Sequence, residues 1–307
     1  MLYWSLLLAL ASLFGYLCQR HLQLPKVVGY ALVGSVAGLL GFGGTIWPLQ
    51  GPVLFLLELG VAIILFECGG RITLRWFRHN PMVLVQSLAE AGLTYGLVFY
   101  VMRWLDVPAA VATPVALIAM AASPVVLTRV ISDTRAAGPV TDRAMALATL
   151  STLYALTLGS AKAEIFARPS DSLWQDLTPV AVTLGVSVVV AALLCFVMRM
   201  ALQWMSPNSE NTSIVMLSLI AAASVLASHG GGSAPLAALL GGMLLKQLHP
   251  RPWVWPRQLG SASSLLNMLM FVLVSCVAAR ADWSGAVALV VGAVASARLL
   301  AKALGVG

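Results

Sequence analysis

Long runs of apolar residues take up most of this chain and limit what it can fold into. About eleven runs have a length near the 17–25 residues that a helix needs to cross a bilayer. They lie near 1–19, 25–43, 52–69, 82–104, 108–132, 142–162, 178–203, 212–229, 233–247, 262–279 and 284–304. Only 9% of the 307 residues are charged, against about 25% in a soluble domain. The sequence therefore predicts an all-α polytopic membrane protein with about 11 transmembrane helices, forming one transmembrane domain over 1–307.

The sequence gives little sign of other classes of protein. The first run lacks a basic amino-terminal region and a small-residue cleavage site, so we expect a retained span and not a signal peptide. The four cysteines have neither metal-site nor disulfide spacing: Cys18, Cys68, Cys195 and Cys276. The residues show no nucleophile–base pair and no nucleic-acid module. We therefore expect no enzyme activity, no cofactor, no metal and no nucleic-acid partner.

Lysine and arginine are distributed unevenly over the connections between the runs. The odd-numbered connections and the C-terminal end hold 14 of the 18, with Arg298 and Lys302 counted at the C-terminal end. The even-numbered connections hold only Arg103, Lys162, Arg168 and Arg280. Cytoplasmic connections carry an excess of these residues in membrane proteins. The pattern predicts a multi-pass protein of the cell (inner) membrane, with its N-terminus outside and its C-terminus in the cytoplasm.

A weak internal repeat relates the two ends of the chain. PKVVGYALVGSVAGLLG, followed by GVAIILFECGG, has a counterpart in SAPLAALLGGMLLKQL, followed by MLMFVLVSCVAA. Each unit is a glycine-rich span followed by a bulkier span that contains a phenylalanine. By the predicted topology the first unit starts in the cytoplasm and the second starts outside. Opposite-facing repeats of this kind are typical of secondary transporters.

Glutamates lie within the apolar runs, although a charge at the bilayer centre costs roughly 2.5–3.5 kcal/mol on insertion scales. Glu67 is four residues before Arg71, which is the favourable order for an ion pair on a helix, so we expect this pair to form near the interface. Glu58 lies in the middle of its run, on the opposite helical face from Glu67. Glu90 shares a face with Gln86 and Thr94, and either a functional or a structural role fits it.

Ser123-Pro124 lies in the middle of the fifth run, in AMAASPVVLTRVI. A proline there removes a backbone donor, and the result is either an ordinary kink or an interrupted helix whose ends face an ion. The sixth run follows with several hydroxyl side chains: Thr149, Ser151, Thr152 and Thr157. These hydroxyls either bond to the preceding turn and neighbouring helices or contribute to an ion path.

The order of these segments resembles the monovalent cation:proton antiporter family, of the sodium/hydrogen exchanger type. The resembling segments are LPKVVGYALVGSVAGLLG, LLELGVAIILFECGGRI, AASPVVLTRVI, GSAPLAALLGGMLL and MLMFVLVSCVAA. Arg298, in SARLLAKAL, is similar to an arginine often seen in the family's following span. The resemblance runs over nearly the whole chain and implies a shortened antiporter-like fold with inverted repeats.

The resemblance also exposes two departures from the family. Its members carry an Asp-Asp or Asn-Asp pair in the helix after the interrupted one, and the match places Ser151 and Thr152 there. The branch with an "LFEGGL"-like motif often has an acid before the proline of the interrupted helix, where this chain has Ser123. The family usually has more spans than this chain, which ends where a second interrupted helix and one further span would follow.

The resemblance implies antiport of a monovalent cation, Na⁺ or K⁺, against H⁺ by alternating access. The candidates for the ion and proton path are Glu90, Glu58, Glu67, Ser123, Pro124, Ser151 and Thr152. Glu58 and Glu90 are the better proton sites because burial favours the protonated carboxyl, and Glu90 ranks slightly ahead. The expected partners besides the ions are the lipid bilayer and, as an additional candidate, a second copy of the chain.

An alternative is a transport-inactive relative that acts as a membrane scaffold, subunit or regulator. Loss of the acidic pair at Ser151 and Thr152 favours this alternative. Retention of Glu58, Glu90 and the Ser123-Pro124 interruption disfavours it.

Overall fold

The computed structural model describes residues 2–41, 52–72, 80–167, 173–205, 209–248 and 257–306. Within these ranges twelve helices are present and no strand. In chain order they are α1 (Leu2–Leu22), α2 (Lys26–Leu39), α3 (Pro52–Gly69), α4 (Met82–Trp104), α5 (Ala109–Met120), α6 (Pro124–Thr134), α7 (Pro139–Ala167), α8 (Leu173–Trp204), α9 (Glu210–His229), α10 (Ala234–Leu248), α11 (Arg257–Ala279) and α12 (Gly285–Val306).

The helices follow the predicted apolar runs. Each run corresponds to one helix, except the fifth, which is divided between α5 and α6. Among the described residues, five helical stretches are long and apolar enough to cross a membrane: Met82–Trp104, Ala109–Thr134, Thr178–Trp204, Glu210–His229 and Gly285–Gly305. Three shorter apolar helices accompany them: Lys26–Leu39, Ala234–Leu248 and Ser263–Ala279. In the part that the structure describes, the chain is an all-α, multi-pass membrane protein.

Prolines define where the helices of the first half begin. One stands either just before or at the first residue of each helix from α2 to α7: Pro25, Pro52, Pro81, Pro108, Pro124 and Pro139. Proline suits this position because its fixed φ matches the helix and its missing N–H would have no partner within the first turn. The starts of these helices are therefore marked in the sequence by proline.

The two predicted repeat units pack against each other crosswise. α2 of the first unit lies along α11 of the second, and α3 of the first lies along α10 of the second. A two-fold rotation that exchanges the two units would also exchange these two contacts, so the packing agrees with a two-fold relation between the units. The α2–α11 contact depends on Gly34 and Gly38, where an added Cβ would overlap the backbone carbonyls of Val272 and Cys276.

The α3–α10 contact is equally close. A Cβ at Gly69 would overlap the carbonyl of Leu239, and a Cβ at Gly242 would overlap the carbonyl of Phe66. Each helix therefore presents a glycine to the backbone of the other. Only glycine permits two backbones to approach this closely, as in other membrane-helix contacts built on small residues.

A second group of helices surrounds the division between α5 and α6. α4 packs against α12 and α5, while α7 contacts α4, α5 and α6. Their shared core includes Val98, Met102, Ala112, Ala116 and Ala297. The arrangement brings polar side chains from α4, α7 and α12 to the point where α5 ends.

Candidate functional site

The fifth span is broken just before Pro124. α5 ends at Met120, and Ala121 is extended, with φ −66° and ψ 130°. Ser123 is extended as well, and its Oγ accepts a hydrogen bond from the Val126 N–H at 3.3 Å, which caps α6. Pro124 is the first residue of α6. The interrupted helix, one of the two alternatives for Ser123-Pro124, is therefore the one that the chain adopts.

Two hydroxyl groups of α7 bind the residue at the centre of this break. Ser151 Oγ accepts a hydrogen bond from the Ala122 N–H at 3.1 Å, and Thr152 Oγ1 donates to the Ala122 carbonyl at 2.8 Å. Thr152 Oγ1 also lies 2.8 Å from the Ala148 carbonyl of its own helix. Ser151 and Thr152 are buried, where an unpaired backbone group would cost about 1–3 kcal/mol. The two hydroxyls therefore stabilise the break.

Two cations of α12 bind the carbonyls that end α5. Arg298 Nη2 donates to the Ala121 carbonyl at 2.7 Å, and Lys302 Nζ donates to the Met120 carbonyl at 3.0 Å. The last carbonyls of a helix lack intrahelical partners and carry partial negative charge, which favours cations there. Arg298 and Lys302, which the sequence analysis counts as charges of the C-terminal end, both lie within α12 and contact the break.

Glu90 of α4 joins this cluster through Lys302. Its residue surface is 2% exposed, and its Oε1 forms an ion pair with Lys302 Nζ. Its Oε2 is buried without a hydrogen-bond partner in the described part of the chain. A Cβ at Gly305 of α12 would lie 2.8 Å from Glu90 Cα, so the two helices pack closely at this point. A buried carboxylate needs a paired charge, and Lys302 supplies it.

The polar face of α4 extends one turn on either side of Glu90. Gln86 Nε2 donates to the Gly305 carbonyl at 3.4 Å, and Gln86 Oε1 accepts from Arg143 Nε at 3.0 Å. Thr94 Oγ1 donates to the Glu90 carbonyl at 2.7 Å. The predicted shared face of Gln86, Glu90 and Thr94 is confirmed. Gln86 connects α4 to both α7 and α12, the helices that carry the other groups at the break.

The other two candidate glutamates form no hydrogen bond or ion pair with the residues of the break in the part of the chain that the structure describes. Glu67 forms the predicted ion pair with Arg71, whose Nη2 lies 2.8 Å from Glu67 Oε1. Glu58 is exposed, although it lies within α3. The buried face of α3 here belongs to Leu59 and Gly60, so Glu58 lies on the outside of the helix bundle. The expectation that Glu58 is a buried acid is therefore wrong.

Lys302 is the residue that sequence reasoning missed. It was counted as a terminal charge, whereas it binds both Glu90 and the end of α5. A signal was present in the spacing, since Arg298 and Lys302 stand four residues apart within an apolar run and so share a helical face. Two cations on one face of a span indicate an anionic or carbonyl partner inside the protein.

Nearly the whole chain is similar to a known protein family and to solved structures. The family described as sodium/hydrogen exchanger, transmembrane, matches residues 8–307. A structure of the sodium proton antiporter MjNhaP1 from Methanocaldococcus jannaschii at pH 8 matches with a TM-score of 0.72 and 18% identity, covering 99% of this chain and 77% of that one. A map of the same antiporter by electron microscopy matches with a TM-score of 0.67 and 17% identity, covering 89% and 68%. No curated protein sequence matches the chain.

These similarities confirm two predictions from the sequence. The chain has a sodium/proton-antiporter-like fold, shorter than that of the antiporter it resembles. The resemblance to the cation:proton antiporter family is also confirmed over nearly the whole chain.

Proposed function

The chain belongs to the sodium/hydrogen exchanger family, and we propose that it exchanges a monovalent cation, Na⁺ or K⁺, for H⁺ across the cell membrane. Transport of the exchanger type follows from the family, whereas the ions and the residues that carry them are our proposal. The observation that supports it best is the buried contact of Glu90 with Lys302, beside the end of α5. A buried carboxylate within a span is costly to keep and is a usual mark of an ion or proton path.

Glu90 is the proposed proton carrier. Ser151 and Thr152 stand where the family has its acidic pair, and their hydroxyls do not titrate in the accessible range. Glu90 Oε2 has no hydrogen-bond partner among the described residues, so this oxygen can take up a proton without breaking an existing bond. Protonation would remove the charge that Lys302 neutralises and would free the ammonium group from Oε1.

The break beside Glu90 is the proposed cation site. The carbonyls of Met120 and Ala121 end α5 and now bind Lys302 and Arg298. Carbonyl and carboxylate oxygens are the ligands that small hard cations take. A cation that replaces the Lys302 ammonium between Glu90 and the Met120 carbonyl would couple its own binding to the protonation state of Glu90. Alternating access would then move these helices relative to the α2–α3 and α10–α11 pairs.

The remaining sequence candidates take supporting roles in this proposal. Ser123 and Pro124 begin α6, while Ser151 and Thr152 hold Ala122, so together they fix the geometry of the break. Glu67 forms its ion pair with Arg71 outside the proposed site. Glu58 is exposed and ranks behind Glu90.

The orientation that we propose has the N-terminus outside and the C-terminus in the cytoplasm. Arg298 and Lys302 no longer count toward it, because they lie inside α12. The remaining lysines and arginines still favour the odd-numbered connections, by 12 to 4. The lipid bilayer surrounds the protein, and a second copy of the chain stays a proposed partner.

A specific observation supports a second candidate function, that of a non-transporting relative acting as scaffold, subunit or regulator. Both backbone groups of Ala122 already bind α7, and the Met120 and Ala121 carbonyls already bind α12. The break therefore needs no ion to satisfy these polar groups. An arrangement of this kind can persist in a protein that no longer transports.

Transport by purified protein decides between the two candidates. The full chain is reconstituted in liposomes with an imposed pH gradient, and Na⁺, K⁺, Li⁺ or choline is added outside. We expect dissipation of the gradient by at least one alkali cation and none by choline or in protein-free liposomes. A flat response to all three alkali cations would support the non-transporting candidate.

A further inference from the structure

A cavity of about 220 Å³ lies between the carboxyl-terminal parts of α3 and α10. Its walls include Glu67 and Arg71 on the α3 side and Lys246 on the α10 side. Gly70 and Gly242 also line it, so neither of these positions places a side chain in the cavity. The cavity is separate from the break, where the proposed transport site is formed by α4, α5, α7 and α12.

The charges that line this cavity are two cations and one carboxylate. Arg71 donates one N–H to Glu67, which orients the guanidinium and leaves further donors on a group that is 48% exposed. Lys246 is partly buried and has no hydrogen bond or ion pair within the described ranges. A lysine held at the wall of a cavity without a carboxylate of its own is suited to an anion from outside the chain.

The segments that follow Arg71 and Lys246 in the sequence are also basic. Residues 72–79 follow Arg71 and contain Arg75 and Arg78, while residues 247–257 follow Lys246 and contain Arg251 and Arg257. No aspartate or glutamate occurs in 68–89 or in 247–281. Both segments hold tryptophan, at Trp76, Trp253 and Trp255, a residue enriched where a membrane meets water. The segments that follow the two walls in the sequence are thus basic and contain tryptophan, and in the proposed orientation they are cytoplasmic.

We propose that this cavity binds the phosphate group of an anionic lipid from the cytoplasmic leaflet. Arg71, just after the end of α3, and Lys246 of α10 provide charge-assisted donors from the two walls, and an arginine fork suits phosphate oxygens. Basic pockets between helices on the cytoplasmic side are a known form of headgroup site. Liquid water takes about 30 Å³ per molecule, so a cavity several times larger has room for a phosphate and part of its ester substituents.

The test measures the thermal unfolding of the purified full chain in a neutral detergent. Three probes are titrated: a short-chain phosphatidylglycerol, the matching phosphatidylcholine, and inorganic phosphate. We expect only phosphatidylglycerol to raise the unfolding temperature, since it brings a net negative phosphate and an acyl anchor to one place.

Two variants and a matched control locate the binding site. Lys246→Gln removes a cation that has no hydrogen bond or ion pair within the described chain, so we expect the variant to keep the fold. It should weaken the apparent affinity for phosphatidylglycerol about tenfold, as expected for one lost charge-assisted contact. Arg71→Gln should do the same. Arg20→Gln removes an exposed charge near the end of α1, where Arg20 donates a hydrogen bond to Tyr16 and lies over its ring, and should leave the affinity unchanged.

Each other outcome overturns the proposal in a defined way. An equal shift with inorganic phosphate would mean that the cavity takes a free anion and that the lipid is not required. An equal shift with phosphatidylcholine would remove the role of net charge. An equal loss of affinity in Arg20→Gln would mean that the lipid responds to the overall basic surface and not to this cavity. Since none of these measurements involves transport, the inference and the proposed antiport can fail independently.

Discussion

The ammonium group of Lys302 lies against the carboxylate of Glu90, and the pair is shielded on both sides: 20% of the lysine side chain and 3% of the glutamate side chain are exposed. The contact joins α12 to α4, and the same ammonium group binds the last carbonyl of α5 at Met120. One side chain thus connects a titratable acid to the interruption of the fifth span.

The first prediction is that Glu90→Gln abolishes proton-coupled transport, because glutamine keeps the shape of glutamate but carries no exchangeable charge. The variant leaves the partly buried Lys302 without its carboxylate partner, and removal of one member of a fully buried pair typically costs about 3–5 kcal/mol, so we expect a loss of stability up to that size. The double variant Glu90→Gln with Lys302→Gln should regain part of that stability and stay inactive. Liposome transport and thermal unfolding are measured for the unchanged protein, the single variant and the double variant.

Glu58→Gln provides the matched control for that experiment. Glu58 is exposed, so its substitution should change stability little and leave transport intact. Transport by Glu90→Gln with an unchanged pH dependence would contradict the assignment and turn attention to Glu58. Normal transport by the double variant Glu58→Gln with Glu90→Gln would rule out both acids as the carrier.

The second prediction concerns the hydroxyl groups at the break. Thr152→Val keeps the side-chain shape but removes the donor to the Ala122 carbonyl, and should cost about 1–3 kcal/mol of folding free energy. Thr157→Val is the control, because Thr157 is also buried in α7 but binds only the Leu153 carbonyl of its own helix among the described residues. Equal destabilisation of the two variants would mean that the contact across the break contributes nothing.

The third prediction concerns the close helix contact at Gly69. Gly69→Ala places a methyl group on the backbone carbonyl of Leu239, so it should lower the unfolding temperature and the yield of folded protein. Gly92→Ala is the control, since a Cβ at Gly92 in α4 meets no atom within 4 Å. Alanine there should be neutral or stabilising, because it restricts the unfolded chain. A neutral result at Gly69 would contradict the close contact.

The fourth prediction is the orientation in the membrane. Reporter domains fused after Arg78 and after Arg257 should both be cytoplasmic, because both fusion points follow basic odd-numbered connections. A fusion after Arg103 serves as the opposite control and should be external. An external reporter at Arg78 or Arg257 would mean that the span count or the orientation is wrong.

The fold was largely predictable because a lipid bilayer restricts both the length and the composition of the segments that cross it. Spans need apolar runs of limited length, and prolines such as Pro25 and Pro81 mark where helices start. The break before Pro124 was one of two alternatives, since a proline alone does not tell an interruption from a kink. The interruption depends on contacts between distant residues, such as the hydrogen bond from Thr152 to the Ala122 carbonyl. A single sequence does not reveal such pairs.

The site was predictable only in part, for the same reason. Periodicity placed Gln86, Glu90 and Thr94 on one face, and the spacing of Glu67 and Arg71 predicted their ion pair correctly. Periodicity did not predict the pairing of Glu90 with Lys302. A lysine near the end of the chain suggests a cytoplasmic charge, and only the packing of α12 against α4 shows its partner. The prediction that Glu58 is buried was wrong, because a position in the middle of an apolar run does not determine which face of the helix is buried.

The glycines between the repeat units restrict how a chain of this kind can diverge. At Gly69 and Gly242 the opposing atoms are the backbone carbonyls of Leu239 and Phe66, so no substitution on the other helix can make room for a larger residue. Gly34 and Gly38 are limited in the same way by the carbonyls of α11. While the two repeat units pack this closely, these four positions accept only glycine.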